Sequence, residues 1–258
     1  IHVDEGGAPE SMAGMKLWTV PTPDGKLRPD DVQGQCFDME FVHRAQPGAV
    51  SITQSSEMGT VYSPDEVSAL AEVAHANNLA LHMDGARLSN AAACLRVPVR
   101  TFTADAGVDL VSFGLTKNGA MAAESVIVLN GDRVQGVDFL RKTSMQLASK
   151  MRFLSAQFVA MLTDDLWLRS AVHANAMASR LHDGVGDLPG VTITQSVDAN
   201  AVFVLLPEQV ASRLQERFHF YTWDQATGEV RWMCAWDTTE SDVDDFVAAV
   251  RGEIASGA

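Results

Sequence analysis

The sequence predicts an α/β fold with a mostly parallel sheet, followed by a small C-terminal α+β domain. In the first half of the chain, short β-branched apolar runs alternate with segments of helical periodicity, which is typical of a parallel sheet with helices on its faces. In the second half, a long helical segment precedes three strand-like runs. A chain of 258 residues can bury a substantial core. We expect part of a large domain over residues 1–136, connecting helices over 137–183 and a small domain over 184–258.

Local signals predict each element of the first half. Residues 49–53 (AVSIT) form a β-branched run, which favours a strand. A helix begins at Ser63, a capping residue, with Pro64 and two acidic residues in its first turn, and ends at Asn77. Further strands are predicted over residues 79–83, 110–114 and 125–129, with a helix over 87–95.

The second half has a different character. Residues 137–181 are rich in Ala, Leu and Met without a strand signal, so they are predicted to be helical, and a loop follows over 184–190. Strands are predicted over residues 191–194, 202–206 and 230–236, with a helix over 207–218. Residues 238–242 cap a final helix that runs to Ile254.

Charge and composition exclude several classes of protein. Acidic residues outnumber basic ones by 33 to 19, which argues against a nucleic-acid partner because no broad positive surface is available. The longest apolar run, residues 201–206, is too short to span a membrane, and no secretion signal is visible. Three cysteines without a CxxC pair and the lack of a zinc motif indicate reduced thiols and no metal site. The sequence predicts a cytoplasmic protein, most naturally an enzyme.

Asp84 is the first candidate site residue. It lies in LHMDGAR at the end of a predicted strand, where open α/β sheets place their ligands, and Arg87 follows at the first helical turn. An isolated aspartate in this position more often caps the following helix, and that alternative is the stronger one for Asp84 alone.

Lys117 is the second candidate, in VSFGLTKNG at the end of another predicted strand. A lysine buried there would lose hydration, which favours the neutral amine that forms a Schiff base, and Thr116 could bond a phosphate oxygen. The alternative is a loop lysine in water. Asp84 and Lys117 end neighbouring predicted strands and would face one crevice. Pyridoxal phosphate needs this pair, a lysine for its aldehyde and a carboxylate for its pyridine nitrogen.

Three motifs resemble a known family. LHMDGARLSNAAA, VSFGLTKNGAMAAE and DEGGAPE are similar to the low-specificity threonine aldolases and to a related branch of phenylserine aldolases. The resemblance runs from Asp4 to about Asp237. It implies a fold-type-I, aspartate aminotransferase-like, β-eliminating lyase-like enzyme that uses pyridoxal 5'-phosphate. The implied reaction cleaves L-threonine, L-allo-threonine or phenylserine to glycine and an aldehyde, in a homo-oligomer (tetramer or dimer) with shared active sites.

The resemblance also implies roles for individual residues. Lys117 would form the internal aldimine, Asp84 would pair with the pyridine nitrogen, and Arg87 would contact the phenolic oxygen side of the ring. Arg231 matches the small-domain arginine that holds the substrate carboxylate. If the resemblance is set aside, Arg231 is a charged residue in a predicted strand, and such residues usually lie on the solvent-exposed face. Glu5, in DEGGAPE, is expected in the substrate site.

The sequence departs from the family in three places. An upstream segment with a phosphate-binding turn is not present, so the large domain is expected to be incomplete at its N-terminus and to leave apolar surface uncovered. The histidine that stacks on the cofactor would fall just ahead of Ile1. Gln54 stands in the substrate site where many relatives have a histidine, and glutamine cannot take a proton. The base is then water, another histidine or the cofactor phosphate, or the reaction differs.

Two alternatives to aldol cleavage remain open at this point. One is another pyridoxal phosphate reaction, a β-elimination or a racemisation, which would use the same Lys117 and Asp84. The other is an inactive, truncated fragment without cofactor.

Overall fold

Two four-stranded sheets organise the computed structural model, which describes residues 1–257. The strands are β1 (Ala49–Thr53), β2 (Ala80–Gly85), β3 (Leu110–Gly114), β4 (Glu124–Val128), β5 (Thr192–Ile193), β6 (Ala201–Leu205), β7 (Tyr221–Asp224) and β8 (Glu229–Met233). Within the described residues the α-helices are α1 (Ala8–Ala13), α2 (Pro29–Gln33), α3 (Pro64–Ala76), α4 (Leu88–Leu95), α5 (Val137–Thr143), α6 (Arg152–Leu162), α7 (Leu166–Val185), α8 (Glu208–Gln215) and α9 (Glu240–Gly257).

The first sheet has the order β1-β2-β3-β4. β1, β2 and β3 are parallel, and β4 runs antiparallel to β3. The carboxyl ends of the three parallel strands therefore meet at one edge, with Asp84 opposite Thr53 on one side and Ser112 on the other. The predicted α/β class with a mostly parallel sheet is confirmed.

Alternation along the strands gives this sheet two different faces. One face is apolar and buried, and α3 packs on it. The other face is polar and partly exposed. There His82 joins two strands, since its Nδ1 lies 2.9 Å from Ser51 Oγ and its Nε2 lies 2.9 Å from Ser112 Oγ. Asp84 lies two residues further along β2, on this same polar face.

β4 forms one edge of the first sheet and is exposed there. The side chains of Val126, Ile127 and Val128 are all exposed although they are apolar. The sheet thus has uncovered apolar surface at this edge.

The second sheet is antiparallel throughout, in the order β5-β6-β8-β7. Residues from α7, α8 and α9 pack on it and form a second hydrophobic core with Val202, Val230 and Trp232. β7 is absent from the sequence-based prediction. It pairs with β8 through a tight turn in which Gly228, at φ +77°, donates its N–H to the carbonyl of Asp224 at 2.9 Å. The glycine after a short aromatic run is the local signal for this hairpin.

The region over residues 137–181, predicted to be helical, is divided in the structure. Three helices occupy the region, with interruptions over residues 144–151 and 163–165. Met145, Lys150, Asp164 and Asp165 have positive φ angles, which an α-helix cannot contain. α7 then joins the two halves. Asn90 of α4 donates its side-chain amide to Asn175 Oδ1 at 2.9 Å, and the Asn175 amide donates to the backbone carbonyl of Asn90 at 3.0 Å.

The predicted helix starts agree with the structure. Ser63 Oγ accepts the N–H of Glu66, whose carboxylate accepts the N–H of Ser63, so α3 begins with a capping box. Thr239 and Asp242 make the same exchange at the start of α9. None of the helices within residues 1–257 is both long and apolar enough to cross a bilayer.

Candidate active site

Asp84 lies at the carboxyl end of β2, on the polar face of the first sheet. Its Oδ1 accepts the N–H of Ala86 at 3.0 Å, and its backbone carbonyl accepts the N–H of Gln54 at 2.8 Å. The N-cap residue of α4 is Arg87, so Asp84 does not cap that helix. The carboxylate is therefore held by the strand end and faces the edge where ligands bind in open α/β sheets.

Lys117 lies in a short 3-10 turn, Thr116–Asn118, directly after β3. The side-chain amide of Asn118 donates to the carbonyl of Trp167 at 2.8 Å, and Thr116 Oγ1 accepts the N–H of Ala123 at 3.1 Å. These bonds hold the turn while Lys117 itself is exposed. Of the two alternatives for Lys117 considered alone, a desolvated amine or a loop lysine in water, the structure has the exposed lysine.

The second half of the chain supports the same turn. Gly119 has φ +109°, and a Cβ on it would lie 3.2 Å from Cδ2 of Trp236. A side chain at this position would strain the backbone and would have to move the indole, so glycine is strongly favoured. The indole of Trp236 therefore packs directly against the end of the turn that carries Lys117.

Arg231 reaches the site from β8 of the second sheet. Its side chain is only 15% exposed, so the solvated face expected without the family is wrong. The guanidinium stacks on Trp223, with Cζ 4.3 Å from the ring centroid. Burial and the nearby charge of Arg87 lower the pKa of Arg231, although Glu57 opposes this.

Glu57, in the loop after β1, connects these groups. Its Oε1 lies 3.3 Å from Nη1 of Arg87 and its Oε2 lies 3.1 Å from Nη1 of Arg231. Burial raises the pKa of Glu57, but the positive charges of Arg87, Arg231 and Lys117 outweigh it and hold the pKa below its usual value. The sequence prediction missed Glu57. Its position just beyond the carboxyl end of a parallel strand is the signal that could have found it.

Gln54 and Glu5 are placed differently from the other predicted residues. Gln54 is fully buried, and its amide donates to the carbonyl of Tyr62 at 2.9 Å and accepts the N–H of Tyr62 at 3.0 Å. Both polar atoms of this side chain thus hold the loop over residues 54–62. Glu5 is exposed in a turn before α1, while the charge of its neighbour Asp4 acts on Arg231.

The site brings several positive side chains together in a chain of net charge −14. Two arginines and a lysine surround one carboxylate, Glu57. Nε of Arg231 is buried and has no hydrogen-bond partner among the described residues. Buried donors are normally paired, so this nitrogen retains the capacity for one more hydrogen bond.

The fold and the residues at the edge of the first sheet define a fold-type-I, pyridoxal phosphate-dependent enzyme. The profile of the beta-eliminating lyase family matches residues 1–209, and the chain belongs to this family, among the low-specificity L-threonine aldolases.

The relatives support this assignment along nearly the whole chain. A low specificity L-threonine aldolase of a Pseudomonas species is 41% identical, and that of Pseudomonas aeruginosa 42%, each over 97% of this chain and 73% of the relative. The solved structure of Leishmania major threonine aldolase superposes with a TM-score of 0.90 at 28% identity, over 98% of this chain and 74% of that one.

The residues present fit pyridoxal phosphate. Lys117 offers an accessible amine, and Asp84 offers a carboxylate at the end of the adjacent strand. Thr116 uses its oxygen as an acceptor, which leaves its hydroxyl hydrogen for a phosphate. The unpartnered Nε of Arg231 is suited to a second anion, such as a substrate carboxylate.

Proposed function

We propose that this chain cleaves the Cα–Cβ bond of β-hydroxy-α-amino acids such as L-threonine, giving glycine and an aldehyde. The observation that carries the proposal is the position of Arg231. This buried arginine from the second sheet pairs with Glu57, and the positive charge of Lys117 acts on the same carboxylate. An arginine in this place suits a substrate that carries an α-carboxylate, and the identity to curated threonine aldolases gives the reaction type.

Four residues would hold the cofactor. Lys117 would bind its aldehyde, Asp84 the pyridine nitrogen, Arg87 the side of the phenolic oxygen and Thr116 a phosphate oxygen. When bound, pyridoxal phosphate supplies an electron sink for the electron pair of the broken bond. The carboxylate of Asp84 beside the ring nitrogen would favour a proton there, which would strengthen that sink.

The other residues bind and orient the substrate. Arg231 would hold the α-carboxylate through Nε and a terminal nitrogen, which fixes the direction of the Cα–Cβ bond. The indole of Trp223 supports the guanidinium from one side. Neither Gln54 nor His82 is assigned to the proton of the substrate hydroxyl, because the polar side-chain atoms of both are already hydrogen bonded.

A product assay tests the proposal. Protein supplied with pyridoxal phosphate is incubated with L-threonine, L-allo-threonine and phenylserine, and glycine and aldehyde are quantified beside ammonia and the D-isomer of each substrate. We expect equal amounts of glycine and aldehyde. Release of ammonia would instead indicate β-elimination, inversion alone would indicate a racemase, and no product would indicate an inactive fragment.

We also propose that the working form is a homo-oligomer, a dimer or a tetramer with shared active sites. Apolar side chains that are largely exposed support it, at Phe139, Leu140, Phe153 and Val159. Light scattering after size exclusion measures the mass, and a monomer that is fully active would contradict it. A cytoplasmic location is proposed as well, supported by the free thiols of Cys36, Cys94 and Cys234.

A further inference from the structure

Glu57 connects the two arginines of the site. A carboxylate is unexpected here, because it has the same charge as the substrate carboxylate that Arg231 would bind. Each of its oxygens faces one guanidinium, Arg87 of the first half and Arg231 of the second sheet. The two arginines are close enough for the charge of Arg87 to act on Arg231. Because like charges repel, the carboxylate that contacts both arginines offsets their mutual repulsion.

Glu57 and Arg231 are joined by one hydrogen bond, whereas two other arginine–carboxylate pairs of this protein are joined by two. It is a single contact of 3.1 Å through Nη1. In contrast, Arg180 binds Asp244 through two parallel bonds of 2.9 and 2.8 Å, and Arg100 binds Asp105 through two bonds of 2.9 and 2.7 Å. Paired bonds of this kind are the stronger form of arginine–carboxylate recognition.

Arg231 therefore keeps binding capacity for a second carboxylate. Its Nε is buried without a partner among residues 1–257, and Glu57 uses only a terminal nitrogen. A substrate carboxylate that bonds Nε and a terminal nitrogen would gain the paired geometry. Glu57 is 34% exposed and has a second cation in Arg87, so it can leave Arg231 without becoming unpaired.

We propose that Glu57 is a positioning residue that occupies Arg231 before substrate binds and is exchanged there for the substrate's α-carboxylate. This rests on the proposed function, in which Arg231 is the carboxylate site. Glu57 holds the guanidinium in place against the indole of Trp223, and its charge opposes the incoming carboxylate. Because a ligand carboxylate must first displace Glu57 from Arg231, such a ligand binds more weakly than it would if Glu57 carried no charge.

The test removes the charge and keeps the shape, with Glu57→Gln. The dissociation constant of glycine is measured by titration calorimetry on the holoenzyme, and KM and kcat are measured for L-threonine. We expect glycine to bind about fivefold more tightly and KM to fall by a similar factor, while kcat changes by less than about twofold. 1-Amino-2-propanol, which has the amine and hydroxyl of threonine without its carboxylate, should bind unchanged.

Glu66→Gln is the matched control. Glu66 is 36% exposed and is paired with Lys26 outside the site, so this variant loses the same charge from a carboxylate of similar exposure. Its glycine affinity and KM should equal those of the wild type.

Weaker or unchanged glycine binding in Glu57→Gln would overturn the exchange and indicate that Glu57 only supports the fold. Tighter binding of 1-amino-2-propanol to the same extent would also overturn it, since no carboxylate is then involved. Glycine binding is independent of turnover. A wild type that binds glycine without forming products from threonine would therefore contradict the proposed function and still test the exchange.

Discussion

Gly119 offers a direct test of the contact between the Lys117 turn and the second half of the chain. Its φ of +109° is rarely adopted by residues with a side chain, and a Cβ would lie 3.2 to 3.4 Å from three atoms of the Trp236 indole. Gly119→Ala should add about 1–2 kcal/mol of backbone strain. Displacing the indole should add about 1–3 kcal/mol more. We expect the free energy of unfolding to fall by about 3 kcal/mol, which lowers Tm by about 6–12 °C.

Thermal unfolding followed by circular dichroism measures this change. Gly131→Ala is the matched control, because the φ of Gly131 is not positive and no atom of the described residues lies within 4 Å of its Cβ position. Its Tm should stay within about 2 °C of the wild type. Equal Tm values for the two variants would refute the packing described for the turn.

A double-mutant cycle with Trp236→Ala separates strain from contact. Removing the indole relieves the collision but leaves the backbone strain at residue 119. The combined loss of stability should therefore be smaller than the two single losses together, by about 1 kcal/mol. The cofactor supplies a second readout, since displacing Lys117 should weaken the binding of pyridoxal phosphate at least about tenfold.

Three further predictions concern single side chains. Borohydride reduction of protein loaded with pyridoxal phosphate should label Lys117, as read by peptide mapping, and a label on another lysine would reject its role. Asp84→Asn should retain the cofactor, measured by absorbance, yet lose turnover by about a hundredfold or more, so that near-normal turnover would reject the pairing with the ring nitrogen. Burial raises the pKa of Asp109, but hydrogen bonds from the Leu81 N–H, His75 and Asn130 outweigh it and lower the pKa. Ionised Asp109 therefore stabilises the folded state at pH values above its pKa in the unfolded chain, near 3.8. This contribution to the free energy of unfolding is lost as the pH falls through the lower pKa of the folded state. Urea midpoints should show the gap between wild type and Asp109→Asn closing on acidification, and a gap that stays constant with pH would contradict this.

The order of elements could be read from the sequence because their signals are local. β-Branched runs, alternation and caps act over a few residues, and they placed β1 and β3 at their observed bounds and the start of α3 at Ser63. The same local signals put Asp84 and Lys117 at the ends of adjacent parallel strands, which suffices to suggest the cofactor. The sequence did not predict β7 or the interruptions in residues 144–165, because hairpin pairing and positive φ angles at non-glycine residues have weak sequence signals.

The substrate side of the site depends on contacts between distant parts of the chain. Arg231 meets Glu57 across 174 positions, and Trp236, in the turn after β8, meets Gly119. Whether Arg231 is solvated or buried, and whether Gln54 turns toward a ligand or toward Tyr62, depends on which surfaces pack together. That packing is a property of the whole chain, because burial and charge pairing arise only when both partners are brought into place.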